Sequence, residues 1–239
     1  MTKVELAERV MVALDVPDAD AALRLARQFE GIPCWMKIGM ELFYAAGPSV
    51  VREVKALGVR VFLDLKLHDI PNTVRGASRS VTRLGVDMFN VHAAGGSAMM
   101  RAAVEGAAEG AAGKGRLPLI IGVTQLTSTD ERMLNGEIGI PGSIDDAVVR
   151  YARMAHSAGL HGVVASAREA AAVKSACGSG FLTITPGIRP AGADAADQAR
   201  VVTPRDALAD GSDYLVIGRP ITAAPDPRSA LERILAELA

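Results

Sequence analysis

A short stretch of the chain places three ionisable residues close together, with Asp64 and Lys66 two positions apart and Asp69 three further on. If this stretch is a β-strand, side chains two positions apart point to the same face, so Asp64 and Lys66 lie side by side. A partly buried carboxylate and ammonium are costly unless they are paired. We interpret them as a positioned acid and base, because clustered charges are where protonation can be tuned. The alternative is a structural ion-pair network, which Lys37 and Asp69 would extend.

Polar or charged residues also stand at the ends of other short apolar runs. They are Asp15, Lys37, Asn90, His92, Thr124, Gln125, Thr127, Arg189 and Arg219. If the runs are strands of one barrel, their carboxyl ends meet at a single mouth and these side chains converge there. Among the histidines, His92 is open between a structural and a functional role. His68 is interpreted as a rim residue, and His156 and His161 as structural residues.

Eight short apolar runs divide the chain, and most of them lack polar alternation. They span residues 10–14, 35–38, 59–65, 86–91, 117–123, 162–165, 181–184 and 214–217. Such runs are typical of parallel strands that are covered on both faces. Segments with helical spacing of apolar residues lie between them, at 19–29, 48–57, 73–84, 97–108, 144–158, 167–176 and 229–238. Asp18 is placed to cap the first helix, and a glycine, as at Gly85, ends several of them.

Eight strands that alternate with helices in 239 residues predict an α/β fold, a (β/α)₈ TIM barrel forming one domain over residues 1–239. The competing fold is a doubly wound open sheet. No Gly-rich dinucleotide-binding turn follows the first strand, which disfavours that alternative. The segment at 191–199 is less regular than the others.

The last two strands carry a second chemical signal, because phosphate is frequently bound by the loops after strands seven and eight of a barrel. Gly187 and Gly218 allow close approach of the backbone, and Arg189 and Arg219 supply cationic donors. These residues favour a phosphorylated small molecule as ligand. The alternative is that the arginines pair with surface acids. Acids near the mouth could bind Mg²⁺, but each has a lysine nearby as competitor.

Composition excludes several classes of protein. Hydrophobic residues make up 49% of the chain and charged residues 22%, so we do not expect a disordered protein. The 26 Lys and Arg balance 27 Asp and Glu, which gives no support to a nucleic-acid or membrane surface. No apolar run is long enough to span a bilayer, and charged residues interrupt the first ten positions. With only Cys34 and Cys177, we expect two reduced thiols in a cytoplasmic protein.

Five sequence blocks, in order, resemble the bacterial type of the orotidine 5′-phosphate decarboxylase family. The blocks are V-A-L-D-V-P at 12–17, F-L-D-L-K-L-H-D-I-P-N-T at 62–73, V-T-Q-L-T-S at 123–128, T-P-G-I-R-P at 185–190 and G-R-P-I at 218–221. The second block matches the family signature D-x-K-x-x-D-I-P-N-T. A D-x-K motif alone is weak, whereas five blocks with the right spacing along nearly the whole chain are specific.

The resemblance implies a homodimeric barrel that converts orotidine 5′-phosphate to uridine 5′-phosphate and CO₂ in pyrimidine synthesis, without a metal or organic cofactor. It implies that Lys66 protonates C6 of the pyrimidine beside Asp64, and that Asp69 and Thr73 reach the active site of the partner subunit. The remaining implied ligands are Asp15 and Lys37 for the ribose, Thr127 (or Thr124) for the base, and Arg189, Gln198, Gly218 and Arg219 for the phosphate, with the segment 191–198 closing over it.

Two other functions stay open. One is that of the sugar-phosphate decarboxylases and aldolases that share D-x-K-x-x-D on a similar fold and need Mg²⁺. The continuation at 70–73 and the block at 187–190 favour the nucleotide enzyme over these. The other is a phosphate-binding barrel without catalysis, which the intact set of Asp64, Lys66 and Asp69 disfavours.

Overall fold

The computed structural model describes residues 2–113, 116–190 and 202–238, and its strands form a closed parallel barrel in the order of the chain. The strands are β1 (Val10–Ala13), β2 (Trp35–Gly39), β3 (Arg60–Leu67), β4 (Met88–His92), β5 (Leu119–Val123), β6 (Gly162–Val164), β7 (Leu182–Thr185) and β8 (Tyr214–Ile217). The sequence predicted all eight, with each end within two residues of its observed place. Because β1 pairs with both β2 and β8, the sheet is closed and the doubly wound alternative is wrong.

Helices cover the outside of the barrel. They are α1 (Lys3–Ala7), α2 (Ala19–Arg27), α3 (Met40–Ala46), α4 (Ser49–Lys55), α5 (Pro71–Arg83), α6 (Gly96–Ala111), α7 (Glu131–Gly136), α8 (Ile144–Ser157), α9 (Ala167–Cys177), α10 (Pro204–Ala209), α11 (Arg219–Thr222) and α12 (Pro227–Leu238). Asp18 caps α2 as predicted, since its Oδ1 accepts a hydrogen bond from the Ala21 N–H at 2.7 Å. The helices that the sequence did not predict are α1, α3, α7, α10 and α11, each of seven residues or fewer. Within the described ranges, no helix has the length and apolar character needed to cross a bilayer.

The barrel interior holds an apolar layer that ends just below the mouth. A separate buried cluster inside the barrel contains Met11, Trp35, Phe62, Met88, Ile121 and Ile184. Lys37, Asp64 and Asn90 each follow a member of this cluster by two positions, so they continue the same inward-facing rows toward the carboxyl ends of their strands. The intervening Leu63 is buried in the outer core between barrel and helices, as the predicted alternation requires.

Helices α5 and α6 pack with their backbones in close contact. A side chain at Gly106 would clash with the carbonyl oxygen of Arg75, and one at Gly110 would clash with that of Arg79. Both arginines also form ion pairs with Glu109 of α6. This packing fixes α5, whose first turn follows directly on Asp69.

Candidate active site

The ionisable residues at the end of β3 form a close pair. The Nζ atom of Lys66 lies 2.7 Å from Oδ1 of Asp64, and both side chains are about three-quarters or more buried, at 25% and 18% exposed. The prediction that these two side chains share one face is confirmed. They do so although the backbone is irregular here, since Lys66 has a φ of +53°.

Charges alternate from β1 to β3 across the mouth. Lys37 is buried, its Nζ lies 2.6 Å from Oδ1 of Asp15, and the same ammonium lies 3.9 Å from Oδ2 of Asp64. The row of alternating charges runs Asp15, Lys37, Asp64, Lys66. Lys37 joins it as predicted, whereas Asp69, which was also predicted to extend it, has no ion pair with these residues in the described part of the chain. Such a row keeps each charge beside an opposite one in a partly buried place, which lowers the cost of desolvation.

Asn90 of β4 is the contact that the sequence analysis missed, since it placed Asn90 at a strand end without a role. Its side chain is 1% exposed. Its Nδ2 donates to Oδ1 of Asp64 at 2.7 Å, and its Oδ1 accepts from the backbone N–H of Lys66 at 2.8 Å. The signal in the sequence was an amide between the apolar residues Phe89 and Val91 of a buried strand.

The histidines divide into a pair near the mouth and two residues elsewhere. The rings of His68 and His92 have centroids 5.4 Å apart. Burial lowers the pKa of His92, the positive charges of His68 and Lys66 lower it further, and Asp64 opposes them. His156 packs against Phe181 with ring centroids 5.1 Å apart, and Nδ1 of His161 accepts a hydrogen bond from the Ile120 N–H at 3.0 Å. The last two contacts fit the predicted structural roles.

A pocket of about 330 Å³ opens beside the Asp64–Lys66 pair. Gln125, Thr127, Ser128 and Pro186 line it together with apolar side chains, several of them from the barrel interior. Thr124 is 3% exposed and its hydroxyl donates to the carbonyl oxygen of Val164 at 2.8 Å, so its polar atom is already engaged. A concave site with few polar groups on apolar walls is typical of small-molecule binding, and of the two threonines Thr127 is placed for it.

The ends of β7 and β8 carry the predicted phosphate ligands. Arg189 is 6% exposed, and one of its guanidinium nitrogens donates to the carbonyl oxygen of Ile188 at 3.0 Å. Gly218 lies close to Asp15, because a Cβ placed on it would be 4.0 Å from Oδ2 of that residue. Arg219 is exposed and begins α11. Gln198 and the segment 191–198 lie outside the described residues.

Asp69 and Thr73 lie on the surface rather than beside Lys66. Both are exposed, and Oδ1 of Asp69 accepts a hydrogen bond from the N–H of the adjacent Ile70 at 2.6 Å. Among the residues that the structure describes, no ion pair or hydrogen bond joins Asp69 to Lys66. Ile70 is itself 67% exposed, which is unusual for so large an apolar side chain. In a single chain, neither Asp69 nor Thr73 lines the pocket beside Lys66.

The amino-terminal end of the barrel holds another cavity, of about 340 Å³, lined in part by Arg83, Asp87 and Arg116. Asp87 is already paired there with Lys55 at 2.6 Å, and it accepts the Val61 N–H at 2.8 Å. This end of a barrel contributes to stability, whereas active sites form at the carboxyl ends of the strands. Over the described ranges, no three His, Cys, Asp or Glu side chains are grouped in a way that could hold a metal ion.

Comparison with known proteins identifies the family to which the chain belongs. The model of the orotidine 5′-phosphate decarboxylase / HUMPS family matches residues 8–234. The chain belongs to this family. An orotidine 5′-phosphate decarboxylase from Moorella thermoacetica is 53% identical over 100% of this chain and 95% of its own length. One from Nitratidesulfovibrio vulgaris is 54% identical over 96% of this chain and 97% of its own length.

A solved structure supports the same assignment to the orotidine 5′-phosphate decarboxylase / HUMPS family. The crystal structure of orotidine 5′-phosphate decarboxylase from Lactobacillus acidophilus has a TM-score of 0.86 and 38% sequence identity, and the match covers 96% of this chain and 98% of that one. The resemblance predicted from the five blocks is confirmed. The two relatives above, matched over nearly their full length, carry the name of the nucleotide enzyme, which favours that branch over the sugar-phosphate enzymes.

Proposed function

We propose that this protein is a carboxy-lyase that converts orotidine 5′-phosphate to uridine 5′-phosphate and CO₂, a step of pyrimidine nucleotide synthesis. The observation that carries the proposal is the Lys66–Asp64 pair, 2.7 Å apart, at the wall of the pocket. It is joined by the names of the relatives, which match over nearly their full length and are named for this reaction. Neither part suffices alone, because buried ion pairs also occur as purely structural features.

Lys66 supplies the chemistry in this proposal. When the bond between C6 and the carboxylate breaks, CO₂ leaves and the electron pair stays on C6, where the ring offers no obvious electron sink. The fixed ammonium of Lys66 stabilises that carbanion and then transfers a proton from Nζ to C6. The amine left behind regains a proton from water before the next turnover.

Asp64 holds the Lys66 ammonium in place, and Lys37 helps to hold Asp64. Oδ1 of Asp64 lies 2.7 Å from Nζ of Lys66, and Oδ2 lies 3.9 Å from Nζ of Lys37, so the carboxylate lies between two positive charges. In the proposed complex Asp64 sits beside the departing carboxylate. Asp15 and Lys37, 2.6 Å apart, bind the ribose hydroxyls, and Thr127 contacts the base.

Phosphate binding is assigned to the ends of β7 and β8. Arg189, Gly218 and Arg219 lie there, and Gln198 belongs to the same proposed set although it is outside the described residues. The phosphate is remote from C6. Its binding energy can still be used to orient the pyrimidine and exclude water, which raises kcat as well as affinity.

The site is completed by a second copy of the chain in this proposal. Asp69 and Thr73 are exposed and do not line the pocket beside their own Lys66, and the neighbouring Ile70 leaves 67% of its surface uncovered. A two-fold dimer that covers Ile70 would bring Asp69 and Thr73 of each protomer to the mouth of the other.

The proposed location is the cytoplasm. Cys34 and Cys177 are both free, and burial raises the pKa of the Cys34 thiol to about 12, which makes it inert. Two unpaired thiols fit a reducing compartment.

The second candidate is a Mg²⁺-dependent sugar-phosphate decarboxylase or aldolase on the same fold. Asp64, the carboxylate best placed to bind a metal, is already bonded to Lys66 and to the Asn90 amide. This arrangement favours the reaction without a metal or organic cofactor.

The third candidate is a barrel that binds phosphate without catalysis. Binding phosphate alone does not require a lysine whose position is fixed by contacts from two strands, so the Lys66 geometry disfavours this candidate.

The deciding experiment mixes the purified protein with orotidine 5′-phosphate and follows the loss of substrate absorbance, with and without EDTA. We expect turnover that EDTA does not change. Turnover abolished by EDTA and restored by Mg²⁺ would favour the metal-dependent class. Absence of turnover with intact binding of uridine 5′-phosphate would favour the non-catalytic barrel.

A further inference from the structure

Strand β3 carries a bulge at the reacting residues. Leu63 pairs with Phe89 and Leu67 pairs with Val91, so three residues of β3 lie opposite the single residue Asn90 of β4. A bulge leaves residues without their regular ladder partners and re-aims side chains, and bulges are over-represented next to active sites.

The backbone of Lys66 is strained within this bulge. Its φ of +53° makes it the sole non-glycine residue with positive φ in the described part of the chain. This conformation is unfavourable for a residue with a side chain and persists only where the surroundings hold it. The side chain of Asn90 stabilises this conformation of Lys66, because its Oδ1 accepts a hydrogen bond from the Lys66 N–H at 2.8 Å.

The amide nitrogen of Asn90 binds Asp64, which is the ion-pair partner of Lys66. Nδ2 of Asn90 donates to Oδ1 of Asp64 at 2.7 Å, and that oxygen is the one that lies 2.7 Å from Nζ of Lys66. Only a side chain with both a donor and an acceptor can bind a carboxylate and a backbone N–H at once. Asn90 is 1% exposed and does not line the pocket, so it acts on the substrate only through these two residues.

We propose that Asn90 is a positioning residue for decarboxylation: it clamps the β3 bulge so that the Lys66 ammonium and the Asp64 carboxylate keep their reactive arrangement. This inference rests on the proposed function, in which Lys66 protonates C6. Loss of the clamp lets the bulge relax and moves Nζ away from C6, while the phosphate and ribose ligands on the other strands stay in place. A displacement of about 1 Å can cost about 100-fold in rate.

The test uses Asn90→Ala, which removes both hydrogen bonds, and Asn90→Asp, which keeps the size and the acceptor for the Lys66 N–H but replaces the donor to Asp64 with a second carboxylate. Binding of uridine 5′-phosphate counts the folded sites in each preparation, and kcat is expressed per site. The matched control is Thr183→Val. Thr183 is fully buried and its hydroxyl donates to the Gly211 carbonyl at 2.9 Å, but it touches neither Asp64 nor Lys66.

We expect Asn90→Ala to lower kcat per site by about 100-fold while KM and the affinity for uridine 5′-phosphate stay within about threefold of wild type. Thr183→Val should lose thermal stability and keep its kcat per site.

If the alanine variant does not bind uridine 5′-phosphate, Asn90→Asp is expected to show the same combination of a lowered kcat and an unchanged KM. The inference is overturned if kcat per site stays within about threefold of wild type, if KM rises in proportion to the fall in kcat, or if both variants lose the binding site. Absence of turnover in the wild-type protein would instead overturn the proposed function.

Discussion

The Oδ1 atom of Asp64 lies 2.7 Å from the Nζ atom of Lys66, although the two residues belong to a stretch of β3 that departs from regular strand geometry. The pair thus depends on more than the spacing of two residues along a strand. It also depends on the neighbouring strands, which supply Lys37 on one side and Asn90 on the other.

Replacing Lys66 with alanine should remove nearly all turnover without unfolding the barrel. Loss of a general acid alone costs roughly 10²–10⁴-fold, and loss of the fixed positive charge beside the carbanion adds to that. The matched control is Lys55→Ala, because Lys55 also pairs with an aspartate, Asp87, at 2.6 Å, but at the opposite end of the barrel. Turnover and circular dichroism are measured on both. A folded Lys66→Ala protein with activity within tenfold of wild type would contradict the assignment.

Arg219→Ala should raise KM for orotidine 5′-phosphate and also lower kcat, because binding energy from the remote phosphate helps to orient the pyrimidine. Both losses should shrink when orotidine, which lacks the phosphate, is the substrate. Steady-state kinetics on the two substrates provide the comparison, with the exposed Arg52 of α4, changed to alanine, as a control. Equal effects of Arg219→Ala on the two substrates would mean that this arginine does not bind phosphate.

A mixture of two inactive variants should regain activity if Asp69 acts in the neighbouring subunit. In a mixed dimer of Lys66→Ala and Asp69→Ala chains, one site carries both changes and the other carries neither. Random exchange of equal amounts makes about half of the dimers mixed, so activity should return to about a quarter of wild type for a two-fold dimer. Subunit exchange is verified independently, for example with two affinity tags. Exchange without recovery would show that Asp69 acts within its own chain or not at all.

Stability should fall as the pH decreases below the ordinary histidine value of 6.5, at which the unfolded chain takes up protons. Burial lowers the pKa values of both His92 and His161 in the folded protein. The unfolded state therefore binds more protons over this interval, and the free energy of unfolding decreases until the folded pKa values are passed. Urea unfolding between about pH 8 and about pH 5 measures the slope, and His92→Asn should make it shallower. An unfolding free energy that rises on acidification in this interval would contradict the prediction.

Two glycine-to-alanine changes should have opposite effects on stability. Gly106→Ala places a methyl group against the Arg75 carbonyl and should cost about 1–3 kcal/mol through overpacking. Gly76→Ala on α5 meets no atom within 4 Å and should stabilise by about 0.5–1 kcal/mol, since alanine restricts the unfolded chain. Denaturant unfolding of the two variants and wild type gives both values. Equal effects would show that the close approach of α5 and α6 is not what Gly106 permits.

The sequence predicted the parts of the site that follow from strand periodicity. The eight runs, the inward faces of Asp64 and Lys66, and the position of Lys37 all follow from alternating side chains and from the meeting of strand ends at one mouth. The role of Asn90 could not be predicted in this way. It depends on the register between β3 and β4 and on a bulge at Lys66, and both are set by packing between residues more than twenty positions apart. The short helix α3 was missed for a different reason, because Leu42 is its one buried residue and no helical spacing of apolar residues stands out, whereas α4, of the same length, buries Val50, Val51 and Val54.

Side chains alternate between the two faces of β3, so catalytic activity depends on the register in which this strand pairs. Lys37 pairs with Phe62 and Gly39 with Asp64 in the β2–β3 register. A slip of one residue would turn the charged side chains of β3 toward the helices and bring leucines into the mouth. Such a molecule would keep its helix and strand content, so spectroscopy of the backbone would not distinguish it from the native form. Specific activity per molecule therefore measures the fraction of molecules in which β3 has the native register. After refolding, it should distinguish correctly assembled barrels from barrels with a shifted strand.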